Sequence, residues 1–118
     1  MRFILSVPPS INQLYKSGYN KRTGKQMWYK SEIGNAWQEE ALWELKRQAK
    51  GHSVNNNFDT VYITYCYNDR RRRDIDNGIK LTLDILVKAG LLKDDSQITF
   101  LQVQKTIGKK SYCMIELL

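Results

Sequence analysis

Apolar residues return every second position in some stretches of this chain and every fourth in others, and the change of interval marks its elements. Residues 60–67, TVYITYCY, are rich in β-branched and aromatic side chains, which predicts a strand. Residues 2–7 predict a shorter one, halted by Pro8 and Pro9 because proline has no N–H to give a sheet ladder. Residues 98–107 and 111–118 predict two more strands, joined around Gly108, Lys109 and Lys110 as a hairpin turn.

A period of four governs residues 31–50. Ile33, Trp37, Ala41, Leu45 and Ala49 trace one apolar stripe, widened by Leu42 and Trp43. Ser31 stands where a helix cap belongs, Glu32 suits the first turn, and Gly51 follows the basic end as a stop. This predicts a core helix with no chemistry of its own. Residues 77–89, ended by Gly90, predict a second helix, with Ile75, Ile79, Leu83 and Leu86 on one face and Leu81 and Ile85 on another flank. A helix so apolar is expected to be buried on more than one side, by the sheet and by a second subunit. The order β-α-β-α-β-β then defines a single α+β domain over residues 1–118, a mixed β-sheet packed with two helices.

Charge adds a partner to this picture. Lys and Arg number 19 against 12 Asp and Glu, a net charge of +7, which favours nucleic acid or an anionic membrane. No segment approaches the roughly 20 apolar residues of a membrane span, and the apolar run at residues 3–7 is short for a secretory signal. Membrane association is therefore not expected, and a cytoplasmic location is. Residues 10–30 read as a long polar loop in which Lys16, Lys21, Arg22, Lys25 and Lys30 are interleaved with Tyr15, Tyr19, Trp28 and Tyr29. Such a loop suits tracking a phosphate backbone while bases stack on its rings, although the rings can equally pack the loop against the body. Cys66 and Cys113 sit in apolar strand-like runs and are expected to be buried free thiols, and His52 lies in a polar turn where solvation is its expected fate.

The chemistry concentrates in RRRRDIDNGIKLTLD, residues 70–84. Arg70, Arg71, Arg72 and Arg73 run directly into Asp74 and Asp76, and residues two apart on an extended backbone point the same way, so both carboxylates can face one ion. A helix starting near Asp76 places Lys80 one turn above it and Asp84 one turn further. Asp94 and Asp95 form a second acidic pair in a loop before the third strand. Carboxylates that hold a hard cation, with a lysine beside them, are what metal-assisted phosphodiester hydrolysis needs. A calcium-loop reading fails, because with Asp74 as the first position glycine stands fifth rather than sixth and Ile85 occupies the twelfth. Asp84 is better suited to pairing with Lys80 or Lys88 than to binding a metal.

RRRRDIDNGIK followed by LDILVKAGLLKDDSQI resembles the RusA family of Holliday junction resolvases, and VPPSINQLY resembles that family's N-terminal start. The resemblance runs nearly the whole chain, its specific part being residues 70–98. It implies a homodimer that binds four-way double-stranded DNA junctions and cuts them by symmetric paired nicks, with Mg²⁺ or, as a substitute, Mn²⁺. Carried over by position, it implies Asp74, Asp76 and Asp95 as metal ligands and Lys80 as the essential lysine. Gly78 departs from the larger apolar residue common in that family. Near a helix start it is expected to cost about 1 kcal/mol against alanine.

Two matters stay open on the residues alone. A helix of about thirteen residues carries the chain ~20 Å from Asp76, and five extended residues return only ~17 Å. Asp95 therefore reaches the site by an extended return, after a shorter helix, or across a subunit boundary. The competing functional class is a non-catalytic basic module that holds branched DNA, with a nuclease for other branched substrates as a related alternative. The module accounts for the arginines but leaves the adjacent aspartates repelling the phosphates they would lie beside.

Overall fold

A computed structural model describes residues 1–9, 15–19, 26–30, 32–52 and 55–118, the strands at 15–19 and 26–30 by their backbone. In chain order the elements are β1 (Arg2–Leu5), β2 (Tyr15–Tyr19), β3 (Gln26–Lys30), α1 (Glu32–Ala49), β4 (Thr60–Tyr67), α2 (Ile79–Lys88), a short 3₁₀ turn at Asp95–Gln97, β5 (Phe100–Ile107) and β6 (Tyr112–Leu117). The β-rich run at residues 60–67 forms its strand with the expected boundaries. It sits inside a four-stranded sheet of order β1-β6-β4-β5, parallel to β5 and antiparallel to β6. The architecture is α+β with a mixed sheet and two helices, as expected.

Alternation along the strands sends one row of side chains into the core. Phe3 pairs with Ile115 and Ile115 with Ile63, so three registered positions line up across β1, β6 and β4, all of them buried. Leu5, Val61, Tyr65, Cys113 and Leu117 extend that face, and the helices cover it with Trp37, Ala41, Leu45, Leu81, Ile85 and Leu86. Cys66 and Cys113 are buried free thiols and His52 is exposed, each as expected. Burial pushes the Cys113 thiol up to about 12, so it packs as a small apolar group. No helix among the described residues is long and apolar enough to cross a membrane.

The two sheet edges are finished differently. At β1 the Gln48 side chain of α1 accepts from the Ile4 N–H at 2.9 Å and donates to the Ile4 carbonyl at 2.7 Å. One amide thus satisfies backbone groups that would otherwise offer themselves to another strand. At β5 no further strand is paired among the described residues, and Phe100, Leu101 and Ile107 are exposed.

Several expectations need correction. Residues 108–110 are not a hairpin turn: β5 and β6 lie on opposite sides of β4, and the connection crosses the end of β4, where Gly108 N–H donates to the Tyr67 carbonyl at 2.9 Å. A Cβ on Gly108 would come within 2.8 Å of Cys66 Sγ, which is why the crossing point is glycine. Residues 10–30 are not one loop, since β2 and β3 pair antiparallel from Tyr15 opposite Lys30 to Tyr19 opposite Gln26. Tyr15, Tyr19, Trp28 and Tyr29 in those stretches are β-formers, a strand signal that the polar residues around them obscured. The element order accordingly gains a hairpin before α1. On α1, Ile33 and Trp43 are exposed and the buried stripe is Gly34, Trp37, Gln38, Ala41 and Leu45. On α2 the buried face is Leu81, Thr82, Ile85 and Leu86, while Ile75 is exposed and Leu83 half-buried. Strand β1 also stops at Leu5, short of Val7. Ser31, read as a cap, lies outside the described residues.

Candidate functional site

The site grows from the point where β4 ends and α2 begins. Helix α2 starts at Ile79, later than Asn77, because residues 74–78 close two turns first: Asn77 N–H donates to the Asp74 carbonyl at 3.1 Å and Ile79 N–H to the Asp76 carbonyl at 3.3 Å. A buried relay ties this start to the sheet. Tyr65 Oη on β4 lies 2.7 Å from Thr82 Oγ1, which donates to the Gly78 carbonyl at 2.8 Å. Burial raises the Tyr65 phenol well above its ordinary value, so it remains a neutral hydrogen-bonding group. Gly78 is buried, and a Cβ there would meet Pro8 Cγ at 2.8 Å and Tyr65 Oη at 3.3 Å. The expected helix-interior cost does not apply, because Gly78 is the N-cap, and close approach of Pro8 favours glycine there.

Before those turns the arginine segment runs along a groove of 690 Å³, whose walls include Pro8, Pro9, Arg71, Arg72, Arg73 and Asp74. Arg70, Arg71 and Arg72 are exposed. Arg73 differs: its Nη1 and Nη2 donate to Asp69 Oδ1 and Oδ2 at 2.6 and 3.1 Å, and its guanidinium carbon stacks 4.1 Å from the Tyr67 ring centroid. Asp74 and Asp76 are exposed carboxylates with no side-chain partner among the described residues.

Across α2 the second acidic pair divides its labour. Asp94 caps the 3₁₀ turn, accepting from Ser96 N–H at 3.3 Å and from the Ser96 hydroxyl, while Gln97 reaches back to the Asp94 N–H at 3.1 Å. Those bonds, the Ser96 hydroxyl foremost, hold the Asp94 carboxyl below its usual range. Gln97 also donates to the Asn56 and Phe58 carbonyls at 2.9 and 2.7 Å, fastening the turn to the chain ahead of β4. Asp95 is thereby turned towards α2, where its Oδ2 lies 3.1 Å from Lys80 Nζ. Lys80 also lies 3.2 Å from Asp84, one turn along the helix. The two carboxylates, Asp95 first, raise the Lys80 pKa and keep it a cation.

Within one chain, then, Lys80 and Asp95 meet, because the ten-residue helix is shorter than the thirteen read from sequence. Asp84 pairs with Lys80, as anticipated. Asp74, Asp76 and Asp95 are not gathered: no group of three or more His, Cys, Asp or Glu among the described residues is placed to hold a metal ion. Asp74 and Asp76 offer the hard, unpaired oxygens that a divalent cation takes, but Asp95 is engaged by Lys80 and the three do not form a cage in a single chain. Lys21, Arg22 and Lys25 lie outside the described residues, and Lys16 and Lys30 sit on β2 and β3. Sequence reading missed the partners of Arg73. The only signal was Asp69 standing four residues before it.

A groove lined by Arg71, Arg72, Arg73 and Asp74 on a basic α+β fold has the charge of a surface suited to a nucleic-acid backbone. Comparison with known proteins shows the family. The family described as Endodeoxyribonuclease RusA matches residues 8–117, and the chain belongs to that family. It is 40% identical over 73 residues to Crossover junction endodeoxyribonuclease RusA of Aquifex aeolicus, covering 62% of this chain and 57% of that protein. It is 32% identical over 102 residues to Crossover junction endodeoxyribonuclease rusA of Enterobacteria phage HK97, covering 86% of this chain and 79% of the relative.

Proposed function

We propose that this protein is a structure-specific endodeoxyribonuclease that resolves four-way DNA junctions by symmetric paired nicks in recombination and repair. In this reading residues 1–118 act as one unit and as a homodimer, in the cytoplasm of a bacterial or phage-infected cell. What supports it is the meeting of Lys80 and Asp95 in one chain, together with a groove lined by Arg71, Arg72 and Asp74. The relatives' names, which specify crossover junctions, supply the substrate class.

Each residue's part follows from its chemistry. Arg70, Arg71 and Arg72 are exposed cations that draw in the phosphate backbone and set its register. Lys80, kept protonated by Asp95 and Asp84, stabilises negative charge as it builds on the reacting phosphate, a contact stronger in the transition state than in the ground state. Asp74 and Asp76 supply free oxygen donors. Mg²⁺, with Mn²⁺ as substitute, is proposed on that donor chemistry together with the family, and Asp95 is the third ligand the resemblance assigns.

The test is nicking of a synthetic four-way junction with Mg²⁺, with Mn²⁺ and with chelator, in competition with flapped and linear duplexes. Paired nicks in two opposed strands, requiring a divalent ion, are expected. Tight junction binding without nicks under any condition would instead make the protein a non-catalytic module. Preferential cutting of flaps would reassign it to another branched substrate.

A further inference from the structure

Helix α2 begins without a side-chain cap: Gly78 is its N-cap, and no side-chain hydrogen bond closes that end. A cap ordinarily fixes where a helix starts, and the residues whose placement depends on this start are Asp76, just before it, and Lys80, in its first turn. They are held from the inside instead, by a polar pair in the core. Thr82 shares the buried face of α2 with Leu81, Ile85 and Leu86 and is 0% exposed, and Tyr65 on β4 is 2% exposed. Hydroxyls so deep cost free energy unless they are bonded, and a valine would fill the place of Thr82 without that demand.

The carbonyl at the end of the relay fixes its direction. The Gly78 carbonyl can only accept, so the Thr82 hydroxyl gives its one proton there, at 2.8 Å. The Tyr65 phenol, 2.7 Å from the same hydroxyl, is therefore the donor to Thr82. In such a chain each bond polarises the next. The Thr82 N–H reaches the Gly78 carbonyl as well, at 3.0 Å, so this oxygen is held twice.

The Gly78 carbonyl and the Ile79 N–H belong to one rigid peptide plane. On the opposite edge of that plane the Ile79 N–H donates to the Asp76 carbonyl at 3.3 Å. Holding the plane thus holds the backbone of Asp76 before it. It also holds the start of the helix after it, from which Lys80 reaches Asp84 and Asp95. We propose that Tyr65 and Thr82 are positioning residues, which set the Gly78–Ile79 peptide from the core and, through it, Asp76 and Lys80 for cleavage. This rests on the nuclease reading above. Both residues are buried, so they act through that peptide and not on DNA.

The experiment compares the parent with Tyr65→Phe, Thr82→Val, Thr82→Ser and the Tyr65→Phe/Thr82→Val double variant. Single-turnover cleavage of a four-way junction at saturating protein, junction affinity, melting temperature and amide hydrogen exchange over residues 76–82 are measured. Thr82→Val breaks the last bond and strands the phenol. It should lower the melting temperature and slow cleavage about 10- to 100-fold, the scale of a small misplacement of reacting groups, with junction affinity kept. Tyr65→Phe should show a smaller loss of rate, because the Thr82 bond survives without its donor. Thr82→Ser, which keeps the hydroxyl, should restore most of the rate lost in Thr82→Val. The double variant removes both polar groups together, so its melting temperature should return towards the parent. Its cleavage should stay as slow as that of Thr82→Val.

Cleavage that recovers along with the melting temperature in the double variant would mark a pair that only stabilises, and would overturn the proposal. So would a parental cleavage rate in Thr82→Val. If the parent itself does not nick junctions, the nuclease reading fails and hydrogen exchange decides for the positioning alone. Faster exchange over residues 76–82 in the double variant, taken at the same interval below each melting temperature, supports it, and equal exchange refutes it.

Discussion

Asp74 and Asp76 on one side of α2, and Asp94 and Asp95 on the other, are the same residue type put to different ends by the backbone around them. Asp94 stands at the N-cap of a 3₁₀ turn, and its carboxylate is consumed by the turn's own donors. Its neighbour, one residue on, is rotated to the helix and meets Lys80 at 3.1 Å. Asp74 and Asp76 give their carbonyls to the turns that precede α2, and their side chains have no partner among the described residues. Acidic residues close in sequence thus divide into those that build the fold and those left for a ligand. What decides is which of their groups the local hydrogen bonding uses.

The largest effect that would sharpen this contrast comes from Lys80, which pairs with Asp95 and with Asp84. Lys80→Ala should lower the single-turnover cleavage rate by about 10²- to 10³-fold, the usual loss when one charge-stabilising donor is removed, with junction affinity little changed. Equal losses in rate and affinity would make the lysine a simple phosphate anchor. Because Asp95 and Asp84 raise its pKa, the cation and its contribution to stability are fully present below the ordinary value of 10.5, and are lost only as pH rises through the still higher folded-state value. Cleavage should therefore show no fall assignable to Lys80 through neutral and mildly alkaline pH, which a pH–rate profile reads directly.

Next in size is Gly78→Ala. The added methyl has no room beside Pro8 and Tyr65, so a loss of about 1–3 kcal/mol in stability is expected from overpacking, measured by denaturant unfolding. A gain in stability would show that Pro8 yields easily and that the N-terminal segment is not braced against the site. Smaller still is Asp94→Ala, which removes a cap and should lower the melting temperature while leaving far more cleavage than Lys80→Ala. A loss as deep as that of Lys80→Ala would place Asp94 in the chemistry and erase the distinction within its pair.

Much of this architecture could be read from residue pattern, and the failures have physical causes. Strand β4 was legible to the residue because seven of its eight residues are β-branched or aromatic and turn residues flank it. The faces of both helices were misjudged by part of a turn, since Ile33, Trp43 and Ile75 are apolar yet exposed and no pattern records which apolar residues the sheet covers. The crossing at residues 108–111 looked like a hairpin because connection length is local and strand order is not: β4, placed between β5 and β6, is forty residues earlier in register, with Ile63 opposite Val103. At the site, the spacing of Asp74, Asp76 and Lys80 was visible, whereas the return of Asp95 depended on where α2 begins and ends. The role of Asp94 was in fact written in the sequence, as aspartate followed three residues later by Gln97, the signature of a capping box. The Asp69–Arg73 tie was not legible, because four-residue spacing speaks for contact only inside a helix and residues 69–73 are not helical.

The central claim is that the carboxylates left free by the fold serve cleavage rather than structure, and Asp76→Asn tests it most directly. Asparagine keeps the size of the side chain, and Asp76 has no side-chain partner to lose among the described residues, so the melting temperature in chelator should match the parent. On the proposed reading it removes one negative charge near the DNA phosphates and one hard ligand for a divalent cation. Cleavage of a four-way junction and metal-free binding to it, measured on the same two proteins, should therefore move in opposite directions. The account predicts nicking reduced almost to background while the junction is bound as tightly as by the parent or more so. Nicking at the parental rate by Asp76→Asn would contradict it.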